Sequence, residues 1–238
     1  MLGYCQGRNP ESAKATVTAV RALLRFLHVA GHVPVPLTAA VPAVAGWRLA
    51  SLPRGLEAAV VTRLLASCDR GTMTGRRDYA ILVMLARLGL RGAEVAALEL
   101  GDVDWHGGEV AVRGKGNRIE RLPLPAEVGE AVAGYLTAGR PRCGAVTVFC
   151  TVRAPYRQLS PAAIRGIMAQ ACRRAGLGRV GAHRLRHSLA TEMLRAGASL
   201  PEVGQVLRHR SQLATSVYAK VDENALRVLA RPWPGGQS

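Results

Sequence analysis

Residues 182–197, AHRLRHSLATEMLRAG, carry two histidines and two arginines within five consecutive positions. His183 and Arg186 are three residues apart, so on a helix they share one face near its N-terminus. The free N–H groups and the positive dipole at that end favour anions, phosphate included. A solvated basic face with His183 near the cap explains the same spacing. His187 lies on another face and is predicted to be structural.

A second histidine and a tyrosine lie in VLRHRSQLATSVYAKVD, where His209 precedes Tyr218 by nine residues. A tyrosine hydroxyl becomes a nucleophile when a base or a cationic environment favours its ionised form. A tyrosine on a short helix is, by itself, usually part of the core or its rim. The histidine one loop upstream makes Tyr218 a plausible nucleophile.

Two further candidates lie upstream, in LARLGLRGAEVAALELGDVDW and RGKGNRIERLPLP. Arg91 follows a predicted helix end and Glu94 lies three residues on, a spacing that an ordinary ion pair also explains. Lys115 lies between two glycines at a predicted turn, where it can approach a ligand closely; a solvated hairpin tip is the alternative. Lys115 stands out because the chain's 32 Lys and Arg residues include only two other lysines, Lys14 and Lys220.

Periodicity and turn residues predict a mostly helical chain with one small antiparallel sheet at 102–125. Helices are predicted at 11–31, 56–69, 76–90, 93–100, 126–138, 160–175, 183–196, 201–208, 211–219 and 223–230. Ser160 and Pro161 are predicted to cap and open one of them. Prolines at 34, 36, 42 and 53 make residues 32–55 a connector. We therefore expect an N-terminal helical module at 1–50 and a larger domain at 51–238.

Composition narrows the class of protein. The chain is 49% hydrophobic, which indicates a folded protein. Its formal net charge of +16 indicates a phosphate-rich partner, with nucleic acid the first candidate and an anionic membrane surface the second. Five separated cysteines without a C-x-x-C motif argue against a disulfide framework or a zinc site. No apolar stretch suits a signal peptide or a membrane span, so we expect a soluble, cytoplasmic protein.

Five segments together resemble the successive catalytic motifs of the tyrosine recombinase (phage integrase) family: GLRGAEV, GKGNRIERLPLP, HRLRHSLAT, LRHRS and VYAKVD. They occur in that family's order and at approximately its spacings, across residues 76–221. The resemblance implies a mainly α catalytic domain with a small antiparallel β-sheet, preceded by a helical core-binding domain. It also implies a site-specific recombinase that acts on double-stranded DNA as a homo-oligomer, a synaptic tetramer, at the nucleoid.

The resemblance also assigns roles by position. Arg91 and Arg186 correspond to the family's two phosphate-holding arginines, and Lys115 corresponds to its β-turn lysine. His183 corresponds to the histidine of H-x-x-R and His209 to the second histidine. Tyr218 corresponds to the nucleophilic tyrosine.

These residue types suit attack on a phosphodiester by the Tyr218 oxygen. The negative charge that gathers on the phosphate suits two preformed guanidinium forks. His183 is the candidate base, and His209 would donate a hydrogen bond to the phosphate. The leaving 5′-hydroxyl needs a proton, which Lys115 can give up and an arginine cannot. The expected intermediate is a 3′-phosphotyrosyl DNA link, and no metal, ATP or other cofactor is implied.

Two features depart from the family pattern. Arg208 precedes His209 where glycine is the commonest family residue, and it either crowds the phosphate or adds a contact to it. Only residues 1–50 precede the catalytic domain, and the helix at 11–31 resembles just the last part of the family's N-terminal bundle. We therefore expect a truncated chain or a reduced clamp, either with weaker DNA affinity. The helix at 223–230 docks either on a neighbouring protomer or within its own chain.

Other functions stay open from the sequence. A type IB topoisomerase has similar catalytic residues but relaxes supercoils as a monomer. A DNA-binding remnant would occupy a site without cutting it, so covalent adduct formation separates it from both enzymes. A zinc enzyme built on His183, His187 and His209 is disfavoured because arginines crowd those positions and no carboxylate accompanies them.

Overall fold

The structure, a computed structural model, describes residues 10–43, 55–114 and 118–208. The chain divides into two compact units, Met1–Ser51 and Leu52–Ser238. The role of residues 1–50 as a core-binding module stays a prediction. The helices predicted at 211–219 and 223–230 lie outside the described residues.

The N-terminal unit is built on one long helix, α1 (Pro10–Val29). Val17, on the predicted apolar stripe, is buried. The chain turns at Gly31, whose φ of +77° is open to glycine at no steric cost. In the described part of the connector, the prolines leave room only for a short 3-10 helix, Leu37–Ala40.

The C-terminal unit is mainly helical with one small antiparallel sheet, which confirms the predicted fold class. Its described helices are α2 (Ala58–Ala66), α3 (Met73–Arg87), α4 (Gly92–Ala97), α5 (Ala126–Ala138), α6 (Pro161–Arg174), α7 (Ala182–Arg195) and α8 (Leu200–Val206). Ser160 caps α6 as predicted, because its side chain accepts a hydrogen bond from the Ala163 N–H at 3.1 Å. Among the described helices, none is long and apolar enough to cross a membrane.

Three short strands form the sheet in the order β1 (Val103–Asp104), β2 (Glu109–Arg113), β3 (Ile119–Pro123), each antiparallel to the next. Val110 and Val112 alternate with half-buried residues and face the core, as the period of two predicts. The β2–β3 connection carries Lys115, which lies outside the described residues.

The core surrounds α3. All seven residues of its AILVMLA run, 80–86, are buried. Because every face of this segment is covered, its sequence is continuously apolar and does not alternate between an apolar and a polar helix face. Helices α2, α4, α5, α6 and α7 contact it. Its first turn is fixed by Thr72, whose side chain accepts a hydrogen bond from the Gly75 N–H at 3.0 Å.

The helix predicted at 93–100 is wrong beyond Ala97. The chain becomes extended at Leu98, whose carbonyl accepts a hydrogen bond from the Val148 N–H at 2.8 Å. The Leu100 N–H donates to the Val146 carbonyl at 2.9 Å. Pairing with a distant backbone segment therefore replaces the last helical turn. The helix predicted at 76–90 also shifts, running over 73–87.

Candidate functional site

Arg186, on α7, lies at the junction of three segments. Its side chain is buried, with Nη1 donating to the Gly89 carbonyl and Nη2 to the Leu207 carbonyl. Gly89 is two residues before Arg91, and Leu207 is two residues before His209. A buried guanidinium with carbonyl partners excludes the solvated basic face as an explanation of Arg186.

The turn before Arg91 approaches these segments closely. Gly89 has a φ of +57°, and a Cβ added there would lie 2.9 Å from Leu207 Cδ2 and 3.1 Å from Leu189 Cδ2. The backbone conformation therefore favours glycine, and any larger residue would also have to displace two leucine methyl groups. The sequence LGLRG reads as a helix stop, but the close packing against α7 and the end of α8 is visible only in the structure.

Arg91 is the N-cap of α4, and its side chain is 44% exposed. Its Nη1 donates to Glu94 Oε1 at 2.8 Å, and its backbone N–H donates to Glu94 Oε2 at 2.7 Å. The i, i+3 ion pair is thus present. It leaves the guanidinium partly open to solvent, and to any anion that approaches from there.

Arg208 shares the same carboxylate. Its side chain is 6% exposed, its Nη2 donates to Glu94 Oε2 at 2.8 Å, and its Nε lies 3.7 Å from Glu120 Oε2 on β3. Glu94 is buried. Burial by itself would raise the pKa of Glu94, but the Arg91 N–H bond and the Arg208 and Arg91 charges outweigh it and lower that pKa.

Neither sequence alternative for Arg208 described this pairing. The i, i+3 spacing predicts Glu94 only as a partner of Arg91. The missed signal is a carboxylate amid arginine-rich motifs, which must find positive partners if it becomes buried.

His183 and His187 lie one turn apart near the N-terminus of α7. Gly181, which has no side chain, is the N-cap, and His183 is exposed on the first turn. The two ring centroids are 6.4 Å apart. Burial lowers the pKa of the half-buried His187, and the neighbouring His183, Arg186 and Arg184 charges lower it further.

The structure therefore brings the Arg91 and Arg186 segments together and places His183 on the same helix as Arg186. Lys115, His209 and Tyr218 lie outside the described residues. The Gly114 N–H donates to the Arg118 carbonyl at 2.8 Å, which joins the two described residues that flank 115–117. In residues 10–43, 55–114 and 118–208, no three His, Cys, Asp or Glu side chains group as a metal site requires.

Comparison with known proteins identifies the class to which this fold and motif set belong. Residues 54–225 match the profile of the phage integrase family. The chain belongs to that family.

Individual relatives agree. The chain is 50% identical over 230 residues to the putative integrase/recombinase y4rA of Sinorhizobium fredii, a match that covers 95% of this chain and 56% of that protein. It is 34% identical over 234 residues to the tyrosine recombinase XerD of Mycobacterium tuberculosis, covering 94% of this chain and 73% of that one. The chain thus spans little more than half of its relative y4rA.

Solved structures share the fold. XerH recombinase bound to palindromic difH substrate superposes with a TM-score of 0.67 at 23% identity, over 82% of this chain and 57% of that one. Lambda integrase bound to a COC' core site superposes with a TM-score of 0.67 at 18% identity, over 99% of this chain and 80% of that one.

Proposed function

We propose that the chain is the catalytic portion of a site-specific DNA recombinase that cleaves and rejoins strands through a 3′-phosphotyrosyl link on Tyr218. The observation that carries this proposal is the convergence at Arg186. One buried guanidinium contacts the carbonyls of Gly89 and Leu207, which ties together the segments bearing the first arginine and the second histidine of the family's motifs.

Arg91 and Arg186 hold the scissile phosphate. Each presents planar donors that match two phosphate oxygens. The carbonyl partners of Arg186 orient its guanidinium beside the segment that carries Arg91, where its positive charge can oppose the negative charge that develops during attack. Arg91, being partly exposed, can turn to the phosphate from its place at the start of α4.

The remaining roles concern protons. His183 takes the proton of the Tyr218 hydroxyl while the tyrosine oxygen bonds to phosphorus. The bond between phosphorus and the 5′-oxygen breaks. Lys115 protonates that oxygen, and His209 donates a hydrogen bond to the phosphate. In the reverse direction, the 5′-hydroxyl of a second strand attacks the phosphotyrosine and releases Tyr218. Bond energy is conserved in the phosphotyrosine, so the reaction as proposed uses neither ATP nor a metal.

The partner is double-stranded DNA. Proteins of the same fold include lambda integrase, solved as a dimer on its core site, and the Tn1549 transposon integrase, solved with a circular intermediate DNA. Recombination joins two sites, so the working form is a homo-oligomer, a synaptic tetramer, located in the cytoplasm at the nucleoid. No observation favours the topoisomerase or the non-cleaving remnant.

The test uses nicked duplexes from DNA flanking the gene, in which a cut releases a short strand and traps the covalent intermediate. The wild-type chain is expected to form a protein–DNA adduct that survives denaturation, and Tyr218→Phe is expected to form none. Binding without an adduct would favour the remnant. Adducts followed by relaxation of supercoils, without exchange between two sites, would favour the topoisomerase.

A further inference from the structure

Arg208 ends α8 in an unusual backbone conformation. Its φ is +53°, in the left-handed region that costs a residue with a Cβ and that glycine adopts freely. Its N–H donates to the Gln205 carbonyl at 2.9 Å, so it is the residue that closes the helix. A side chain that keeps this position despite the backbone cost must make a compensating interaction.

That interaction is with Glu94, 114 positions away in the chain. Both side chains are 6% exposed, so the pair is almost fully removed from water. Arg208 also lies near Glu120 of β3. One guanidinium therefore joins α4, the β2–β3 hairpin and the end of α8.

Among the described residues, Glu94 has two cationic partners, and they differ in exposure. Arg208 is buried with it, whereas Arg91 is 44% exposed. A buried carboxylate strongly resists losing its last cationic partner. With Arg208 present, Arg91 can turn to a phosphate while Glu94 stays paired. Without Arg208, Glu94 would keep Arg91.

We infer that Arg208 is a positioning residue, which neutralises Glu94 so that the Arg91 guanidinium is free to engage the scissile phosphate. The inference rests on the proposed function. It makes Arg208 a residue that acts through Glu94 and Arg91, without touching the DNA.

Arg208→Gly is the sharpest variant, because glycine accepts the φ of +53° and only the side chain is lost. At saturating DNA, its adduct should form at least about tenfold more slowly, with the roughly 10²–10³-fold cost of losing one preorganised donor as the upper limit. The Kd for DNA should rise and the salt slope should fall by no more than the one phosphate contact of Arg91, about 0.9 in slope, and Glu94→Gln should restore both. Arg208→Lys should recover part of the rate because the charge returns.

Glu94→Gln supplies the decisive background. In the Glu94→Gln protein, the carboxylate that retains Arg91 is gone. Adding Arg208→Gly to that protein should therefore slow adduct formation by less than about twofold, a small fraction of the effect of one donor. Arg87→Gln is the matched control, because it removes one positive charge paired with Glu127 at 2.8 Å and leaves Glu94 untouched. Melting temperatures establish that every variant is folded.

A second readout does not require cleavage. Phenylglyoxal modifies accessible guanidinium groups, and mass spectrometry reports the extent at Arg91 without DNA. Arg208→Gly should slow Arg91 modification severalfold, and adding Glu94→Gln should restore it. A merely structural role of Arg208 would instead loosen Arg91 and speed its modification.

The outcomes separate the two proposals. A wild-type chain without adduct overturns the proposed function, and the phenylglyoxal result then still decides the inference. A wild-type adduct with equal rates in Arg208→Gly overturns the inference alone. Weaker DNA binding by Arg208→Gly, with a shallower salt slope and no rescue by Glu94→Gln, would mean that Arg208 contacts the phosphate itself.

Discussion

At the scale of single residues, the described contacts of the three arginines are of two kinds, with backbone carbonyls and with a carboxylate. Arg186 donates one hydrogen bond from Nη1 and one from Nη2 to uncharged backbone carbonyls. Glu94, the carboxylate bound by Arg91 and Arg208, accepts from two guanidinium groups at once. Arg91 is the more exposed of these two arginines, so it is the one that an anionic ligand can reach from solvent.

His187 gives a pH-dependent prediction at the same scale. Its pKa is lowered by burial and by the adjacent positive charges, so the folded protein binds a proton there less readily than the unfolded chain. The free energy of unfolding is therefore highest above the ordinary histidine pKa of about 6.5, and it declines as pH falls through that value because the unfolded chain takes up the proton first. Melting temperatures from pH 7.5 to 5.5 should fall, and His187→Gln should show a smaller fall.

The control for this prediction is His183→Gln, which removes an exposed imidazole from the same helix. It should retain most of the wild-type pH dependence. An unchanged pH dependence in His187→Gln would contradict the assigned cause.

At the scale of elements, the α3–α4 turn is held against α7 and α8 by the fit around Gly89. Gly89→Ala would combine a left-handed φ of +57° with a Cβ only 2.9 Å from Leu207 Cδ2. Gly176→Ala is the matched control, because its φ of +63° is similar but no atom lies within 4 Å. Chemical denaturation should show a loss of about 1–2 kcal/mol for Gly176→Ala and clearly more for Gly89→Ala.

Equal losses for the two variants would mean that the close approach contributes nothing, and that only the backbone conformation matters. A larger loss at Gly89 should come with slower adduct formation, because the same turn carries Arg91.

Sequence patterns predicted the elements that local residues determine. Alternation within 102–125 indicated the small sheet, and Ser160 with Pro161 indicated the start of α6. The end of α4 at Ala97 was missed because it depends on hydrogen bonds to residues 146–148. No local pattern encodes such a distant pairing.

The candidate site shows the same limit. Five ordered motifs were enough to identify the family and to name Arg91 and Arg186. The partner of Arg208 was not predictable, because Glu94 lies 114 positions away and its burial follows from tertiary packing. The resemblance names candidate residues for the site, whereas the contacts of Arg91, Arg186 and Arg208 required the folded chain.

At the scale of the whole molecule, the net charge of +16 predicts DNA binding with a steep salt dependence. Each neutralised phosphate contributes a slope of about −0.9 to log K against log salt, so roughly six contacts give about −5. Fluorescence anisotropy with labelled duplex, from 50 to 200 mM KCl, measures this slope. A slope near zero would contradict an electrostatic interface, provided that the melting temperature stays constant over the same salt range.

The central claim is that Tyr218 bonds covalently to DNA, and mapping the adduct tests it most directly. Trypsin cleaves after Arg210 and Lys220, which releases SQLATSVYAK with Tyr218 as its only tyrosine. After nuclease trimming, mass spectrometry should find a nucleotide joined through its 3′-phosphate to Tyr218. A nucleotide on a serine or threonine of this peptide, or on another peptide, would contradict the account.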